Sequence, residues 1–266
     1  MVLWYGCLIW QTIYEEIDGD NMLYTIITVV LNDLEKLKIT MNSVLNQICN
    51  DYEYLIVDGQ SNDGTTEYIR EMQEKNSQIR YISESDQGIY DAMNKGIKHA
   101  QGKFVVFLGA GDTFYDEQTL ENVAKYQKYD LIYGHIIYSS GPYKNQTGGA
   151  KLNQRTFLLD HHVAHQAVYV RREIIQKYPF NLKYKVEADQ DQLMKIYKSR
   201  CKIKYIKNIL SYYDGYGYSS NPDSKQQNMK DRLCMLKENY PILYKIRAIG
   251  HLILTGKRYE SEDGAS

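Results

Sequence analysis

Three apolar runs in the first half of the chain each break off abruptly at polar residues. Thr25-Ile26-Ile27-Thr28-Val29-Val30-Leu31 leads into Asn32-Asp33. Tyr54-Leu55-Ile56-Val57 leads into Asp58-Gly59-Gln60-Ser61-Asn62-Asp63-Gly64, and Phe104-Val105-Val106-Phe107-Leu108 into Gly109-Ala110-Gly111-Asp112. Runs that are apolar at nearly every position fit strands buried on both faces. An open parallel sheet binds its ligand beyond the carboxyl ends of its strands. Three polar termini therefore predict one shared crevice, lined by asparagine and carboxylates, which suits a nucleotide and a metal ion.

Between these runs the apolar spacing becomes helical. Leu34, Leu37, Met41, Val44, Leu45 and Ile48 predict a helix over 34–48. Further helices are expected near 65–75, 88–100, 117–127, from 172 and over 186–199, with strands near 79–83, 130–138, 167–170 and 202–210. This alternation predicts an α/β fold with a mainly parallel sheet. Residues 139–154 and 212–220 read as loops, and a helical tail is expected from Asn228. The domain is expected to span 22–215, followed by a loop and amphipathic helical tail over 216–266. Residues 1–21 begin apolar and turn acidic without the basic start of a signal peptide, so they read as an extension ahead of that domain.

Composition narrows the class. A net charge of −1 gives no reason to expect nucleic acid as a partner. Four cysteines without a CxxC pair exclude a zinc knuckle and fit a reducing cytoplasm. No apolar run approaches the roughly 20 residues of a membrane span. The absence of a GxGxxG after the first strand argues against a dinucleotide oxidoreductase. In the tail, Leu233, Ile242, Ile246, Ile249 and Leu252 alternate with Lys237, Lys245, Arg247 and Lys257. Residues 228–258 are therefore expected either to bind a membrane surface or to pack on the domain.

Asp58, at the end of a buried strand, can accept the N3–H of a uracil ring; the alternative is a helix-capping turn without a ligand. Asp112 follows Gly109-Ala110-Gly111, where the backbone can approach a ligand closely. One aspartate beside a diphosphate can hold Mg²⁺ or Mn²⁺. Of the histidines at 161, 162 and 165, His165 is the one expected to line a pocket; no HExxH pattern supports zinc. Glu187, Asp189 and Asp191 open a helix, where the helix dipole alone favours carboxylates.

Taken together, TIITVVLND, YLIVDGQSNDGT, SESDQGIYDAMNKGIKHAQGKFVVFLGAGD, HQAVYVRRE and VEADQDQLMKIY resemble glycosyltransferase family 2 over roughly 23–210. The likeness is strongest to the branch that builds bacterial surface polysaccharides, including colanic-acid-type enzymes. It implies a GT-A fold, a nucleotide-diphosphate sugar donor and a divalent metal, Mn²⁺ or Mg²⁺. It also implies that Thr28, Val30 and Asn32 lie beside the nucleotide, with Asp58 on the base and Ser61 near it. Asp86, Gly88, Asn94, Lys95 and Gly111 would lie along the donor pocket, Asp112 in the metal motif, and Asp189 would be the catalytic base. Asp191 is the reserve, because two residues apart on a helix only one of the pair faces the acceptor. Two departures are visible: many relatives carry two or three aspartates in the metal motif, where Gly109-Ala110-Gly111-Asp112 keeps only the last, and two aspartates where Asp58-Gly59 keeps only the first.

The expected activity is inverting transfer of a sugar, from a UDP-sugar, to a hydroxyl of a glycan or lipid-linked glycan acceptor. It would occur in the cytoplasm or on the inner face of the cell membrane. The alternatives are a nucleotide-sugar-binding protein with impaired catalysis and, behind it, a nucleotidyltransferase.

Overall fold

The computed structural model describes residues 22–153, 163–215, 225–246 and 249. In it the three apolar runs form adjacent parallel strands. β1 (Tyr24–Val30) pairs with β2 (Tyr52–Asp58) on one side; β3 (Ile79–Ser83) continues the sheet beyond β2, and β4 (Phe104–Phe107) flanks β1 on the other side. Alternate residues serve opposite faces, as the two-residue period of a strand requires. Tyr54 and Ile56 join one apolar cluster, and Leu55 and Val57 the other.

Helices between the strands cover both faces. α1 (Leu34–Leu45) buries Leu37, Met41 and Val44 against the first cluster, helped by Ile69 of α2 (Thr65–Lys75). α3 (Ile89–His99) covers the second with Ala92, Met93 and Ile97. Asp33 makes no side-chain cap at the start of α1. Packing holds this helix instead, at about 1.5–3 kcal/mol for each large apolar side chain buried.

The remaining strands are β5 (Thr113–Phe114), β6 (Leu131–Tyr138), β7 (Thr147–Gly148), β8 (Val168–Arg171) and β9 (Ile203–Tyr213). The sheet order is β3-β2-β1-β4-β8-β6-β9-β5, with β7 on β6. Parallel pairing holds from β3 to β4 and returns between β6 and β9, whereas β8 runs antiparallel to both β4 and β6. Winding reverses between β1 and β4, the switch point at which a sheet of this kind binds its ligand. Two-residue strands such as β5 and β7 carry no periodic signal, and neither is foreseen from the sequence. The helix α4 (Thr119–Ala124) is shorter than its apolar pattern suggests, and β9 runs on through Tyr213.

Beyond β8 come α5 (Arg172–Lys177), α6 (Ala188–Lys198) and α7 (Lys225–Asn239). α7 packs on the domain through Met235 and Leu236. It also clasps the stretch leading into α6. Asp231 Oδ2 accepts the N–H of Lys185 (2.6 Å) and of Val186 (2.8 Å), and Arg232 lies 3.1 Å from Glu187. Of the tail expected to meet a membrane or the domain, α7 thus takes the domain, while Ile242, Ile246 and Ile249 are exposed. The rest of that tail and residues 1–21 lie outside the described residues. No helix among the described residues is long and apolar enough to cross a membrane.

Gly102 marks how tightly β4 enters the sheet. A Cβ there would sit 2.3 Å from the Tyr24 carbonyl carbon and 2.4 Å from the Thr25 nitrogen. Backbone cannot swing aside as a side chain can. Gly102→Ala is therefore expected to lower stability by about 1–3 kcal/mol in urea unfolding. An unchanged midpoint would mean that the entry to β4 shifts freely.

Candidate active site

The crevice begins where β1 ends. Asn32 adopts a left-handed backbone (φ 51°), which asparagine tolerates better than most residues. Its N–H donates to Ser61 Oγ and its Oδ1 accepts the Asn62 N–H, both at 2.8 Å. Asp63 accepts the N–H of Leu34 (3.2 Å) and of Thr65 (3.1 Å). The loops after β1 and β2 are thereby tied into one wall.

Asp58 lies inside that wall rather than on its surface. It is fully buried and accepts the N–H of Ser61 (3.1 Å) and the hydroxyls of Thr66 (2.8 Å) and Ser83 (2.7 Å). Asp58, expected on the nucleobase, is used here to shape the loop. Thr28 and Val30 are likewise buried; Thr28 Oγ1 accepts the Tyr54 hydroxyl at 3.0 Å and Val30 belongs to the core. The carboxylate at the mouth is Asp86. Its Oδ1 accepts the Gly88 N–H at 2.8 Å, and its Oδ2 would lie 2.8 Å from a Cβ on Gly59. The missing side chain at Gly59 makes room for Asp86, with the exposed Leu31 beside it.

Two further donor-pocket candidates prove to be supports. Asn94 is committed to Phe180, donating to its carbonyl and accepting its N–H, both at 2.9 Å. Lys95 Nζ donates to the Ser85 carbonyl (2.6 Å) and holds the loop that carries Asp86. Gly88 opens α3 with φ +117°.

At the end of β4, Asp112 is 3% exposed. Its Oδ1 accepts the Asp214 N–H at 2.8 Å, and its Oδ2 accepts the Gly109 N–H (3.0 Å) and the Gln166 side-chain amide (2.9 Å). Burial pushes its pKa up to about 6, against the pull of those donors. Asp112 therefore favours the fold in acid, and this contribution is lost as pH rises from about 4 through about 6. Carbon-detected NMR should show the Asp112 carboxyl titrating near pH 6. A midpoint near that of an exposed aspartate, about 4, would refute the buried arrangement.

Asp189, in the first turn of α6, is 18% exposed. Its Oδ1 accepts the Gln190 N–H (2.9 Å) and lies 3.3 Å from the Tyr90 hydroxyl, which also donates to the nearer Val186 carbonyl, and its Oδ2 lies 3.4 Å from His165 Nδ1. Burial, reinforced by the Asp189 charge, holds the Tyr90 phenol well above its usual pKa, so it stays a donor. His165 and Gln166 are neighbours on one 3₁₀ turn, His165–Ala167. One faces Asp189 and the other grips Asp112. That turn joins the two acidic centres.

Asp191, expected as the reserve base, faces inward. It is fully buried, with Oδ2 2.5 Å from Lys195 Nζ and Oδ1 accepting from Asn239 at 2.8 Å. His161 and His162 lie outside the described residues. Asp112, expected in the metal motif, is engaged with protein donors. Both its oxygens are taken by N–H donors, and no three His, Cys, Asp or Glu side chains among the described residues are grouped to hold an ion. A divalent cation at Asp112 would have to share or displace these N–H donors. Sequence reasoning missed Gln166, Tyr90 and Asp214, whose importance lies in contacts across 54, 99 and 102 positions.

The stretch that carries these groups, residues 25–198, matches the family model for glycosyl transferase family 2. The chain belongs to glycosyltransferase family 2. A PGL/p-HBAD biosynthesis glycosyltransferase of Mycobacterium bovis is 33% identical over 207 residues, 75% of this chain and 79% of that one. Among solved structures, S. aureus TarS 1-349 in complex with UDP-GlcNAc superposes with a TM-score of 0.66 at 18% identity, covering 89% of this chain and 76% of that one. Against the longer TarS chain the match spans 40% of its length. The mannosyltransferase PcManGT of Pyrobaculum calidifontis, in complex with GDP-Man and Mn²⁺, gives a TM-score of 0.63 at 14% identity, covering 94% and 77%. The family 2 glycosyltransferase described here thus has the GT-A fold, a curled mixed sheet flanked by helices.

Proposed function

We propose that this glycosyltransferase moves a sugar from a nucleotide-diphosphate sugar, with uridine as the base, to a glycan hydroxyl in surface-polysaccharide assembly, inverting the anomeric carbon. One observation carries the reading: Asp189 is partly exposed at a helix start, oriented by Tyr90 and His165, and joined by one turn to the end of β4. A carboxylate so placed can take the proton of an acceptor hydroxyl as its oxygen attacks the anomeric carbon. The bond to the diphosphate then breaks on the opposite face, so a single displacement inverts the configuration.

At the other end, the base is assigned to the mouth formed by Leu31, Gly59 and Asp86, with Asp86 accepting the uracil N3–H. Asn32 and the Ser61 loop form the floor beneath the ribose. The UDP-GlcNAc bound by TarS supports uridine, and the GDP-Man of the mannosyltransferase names the competing base.

A panel of nucleotide sugars, followed by proton NMR for nucleotide release and for the anomeric coupling of the product, tests both parts. Release from UDP-sugars with an inverted product is expected. Product of retained configuration would remove the single displacement, and preference for GDP-sugars would remove the uracil assignment. Binding without any release would favour the reading of a nucleotide-sugar-binding protein, which the buried, fully engaged Asp112 supports.

A further inference from the structure

The space that a second motif carboxylate would need at position 111 is already filled. A Cβ on Gly111 would lie 3.1 Å from Lys36 Cδ and 3.1 Å from Asp214 Oδ2. Lys36, in the first turn of α1, accepts the Gly111 N–H on its carbonyl (3.2 Å) and places Nζ 2.9 Å from Asp214 Oδ2 and 3.8 Å from Asp33 Oδ2. Asp214 in turn donates its N–H to Asp112. The ammonium is therefore fixed between the carboxyl ends of β1 and β4, and its side chain is 38% exposed. It has three N–H donors, of which Asp214 takes one. The hydrogen bond to Asp214 raises its pKa, so it stays charged through neutral pH.

We propose that Lys36 is the cation that faces the donor's diphosphate, in the place where a divalent ion would otherwise sit. The proposal rests on the transferase reading above. As the acceptor oxygen bonds to the anomeric carbon, its proton passes to Asp189. The bond from that carbon to the β-phosphate oxygen breaks, and the electron pair leaves with the nucleoside diphosphate. The charge that develops there is met by an ammonium already in position, and no proton need be supplied to the leaving group. Such preorganised stabilisation of a departing anion is among the larger contributions available to an enzyme.

Calorimetry with UDP, UMP, GDP and GMP in EDTA, repeated with added Mn²⁺ or Mg²⁺, tests the proposal on the full chain and on Lys36→Met and Lys36→Arg. A diphosphate should bind more tightly than its monophosphate in EDTA, with little gain from metal. Lys36→Met should weaken diphosphate binding about tenfold to a hundredfold, the worth of one hydrogen bond to a charged group. Lys36→Arg should keep most of it, and thermal melting should show both variants folded. Diphosphate binding that appears only with metal, and is unchanged in Lys36→Met, overturns the proposal and leaves the transferase reading intact. Failure of every nucleoside diphosphate to bind, with or without metal, overturns both.

Discussion

Asp189→Asn is expected to lower sugar transfer by a factor of about 10²–10⁴, the loss typical of removing a general base. The substitution is nearly isosteric, so the surrounding contacts can persist. The amide oxygen can still accept from the Gln190 N–H and the Tyr90 hydroxyl, and the amide nitrogen can face the His165 ring. What disappears is the capacity to take a proton. Turnover should therefore collapse while nucleotide binding and the unfolding midpoint stay near wild type. Turnover within a few-fold of wild type would remove Asp189 from the chemistry. A parallel loss of nucleotide affinity would recast it as a binding residue.

Arg232→Ala is expected to be the most destabilising of the single changes considered, by about 3 kcal/mol or more. Arg232 sits on α7, and its guanidinium nitrogen lies 3.2 and 3.1 Å from the two oxygens of Glu187, whose side chain is 2% exposed. Taking away one member of a buried ion pair leaves a carboxylate in a poorly solvated place, which costs far more than the pair gained on forming. Glu187 is also the residue that opens α6, two positions before Asp189. The damage should therefore show as reduced turnover at temperatures where the chain is still folded. Combining Glu187→Gln with Arg232→Met removes both charges and should recover much of the stability, measured by urea unfolding. If Arg232→Ala unfolds at the wild-type midpoint, α7 is not the anchor of this helix start.

Much of the architecture was legible because its signals are local. The helix over Thr65–Lys75 and the strand Ile79–Ser83 follow from spacing within a dozen residues. The crevice followed from where three apolar runs stop, and Asp189 from a pattern around it that resembles a known family. Roles set by distant partners were not legible. Asp58 looks like a ligand-facing carboxylate until Thr66 and Ser83 are brought onto it, and Asp191 looks equivalent to Asp189 until Asn239 arrives from 48 positions away. Lys36 has no local signal at all. It matters because Asp214, just past the end of β9, is folded against it.

The 3₁₀ turn at His165–Ala167 sets a ruler inside the molecule. Because adjacent residues on it contact Asp189 and Asp112, the distance between these two carboxylates is fixed by one short piece of backbone rather than by the loops around them. On the proposed chemistry, changes in those loops would leave the spacing of the two carboxylates untouched, so an engineer could redraw the rim of the site while leaving its acidic pair alone.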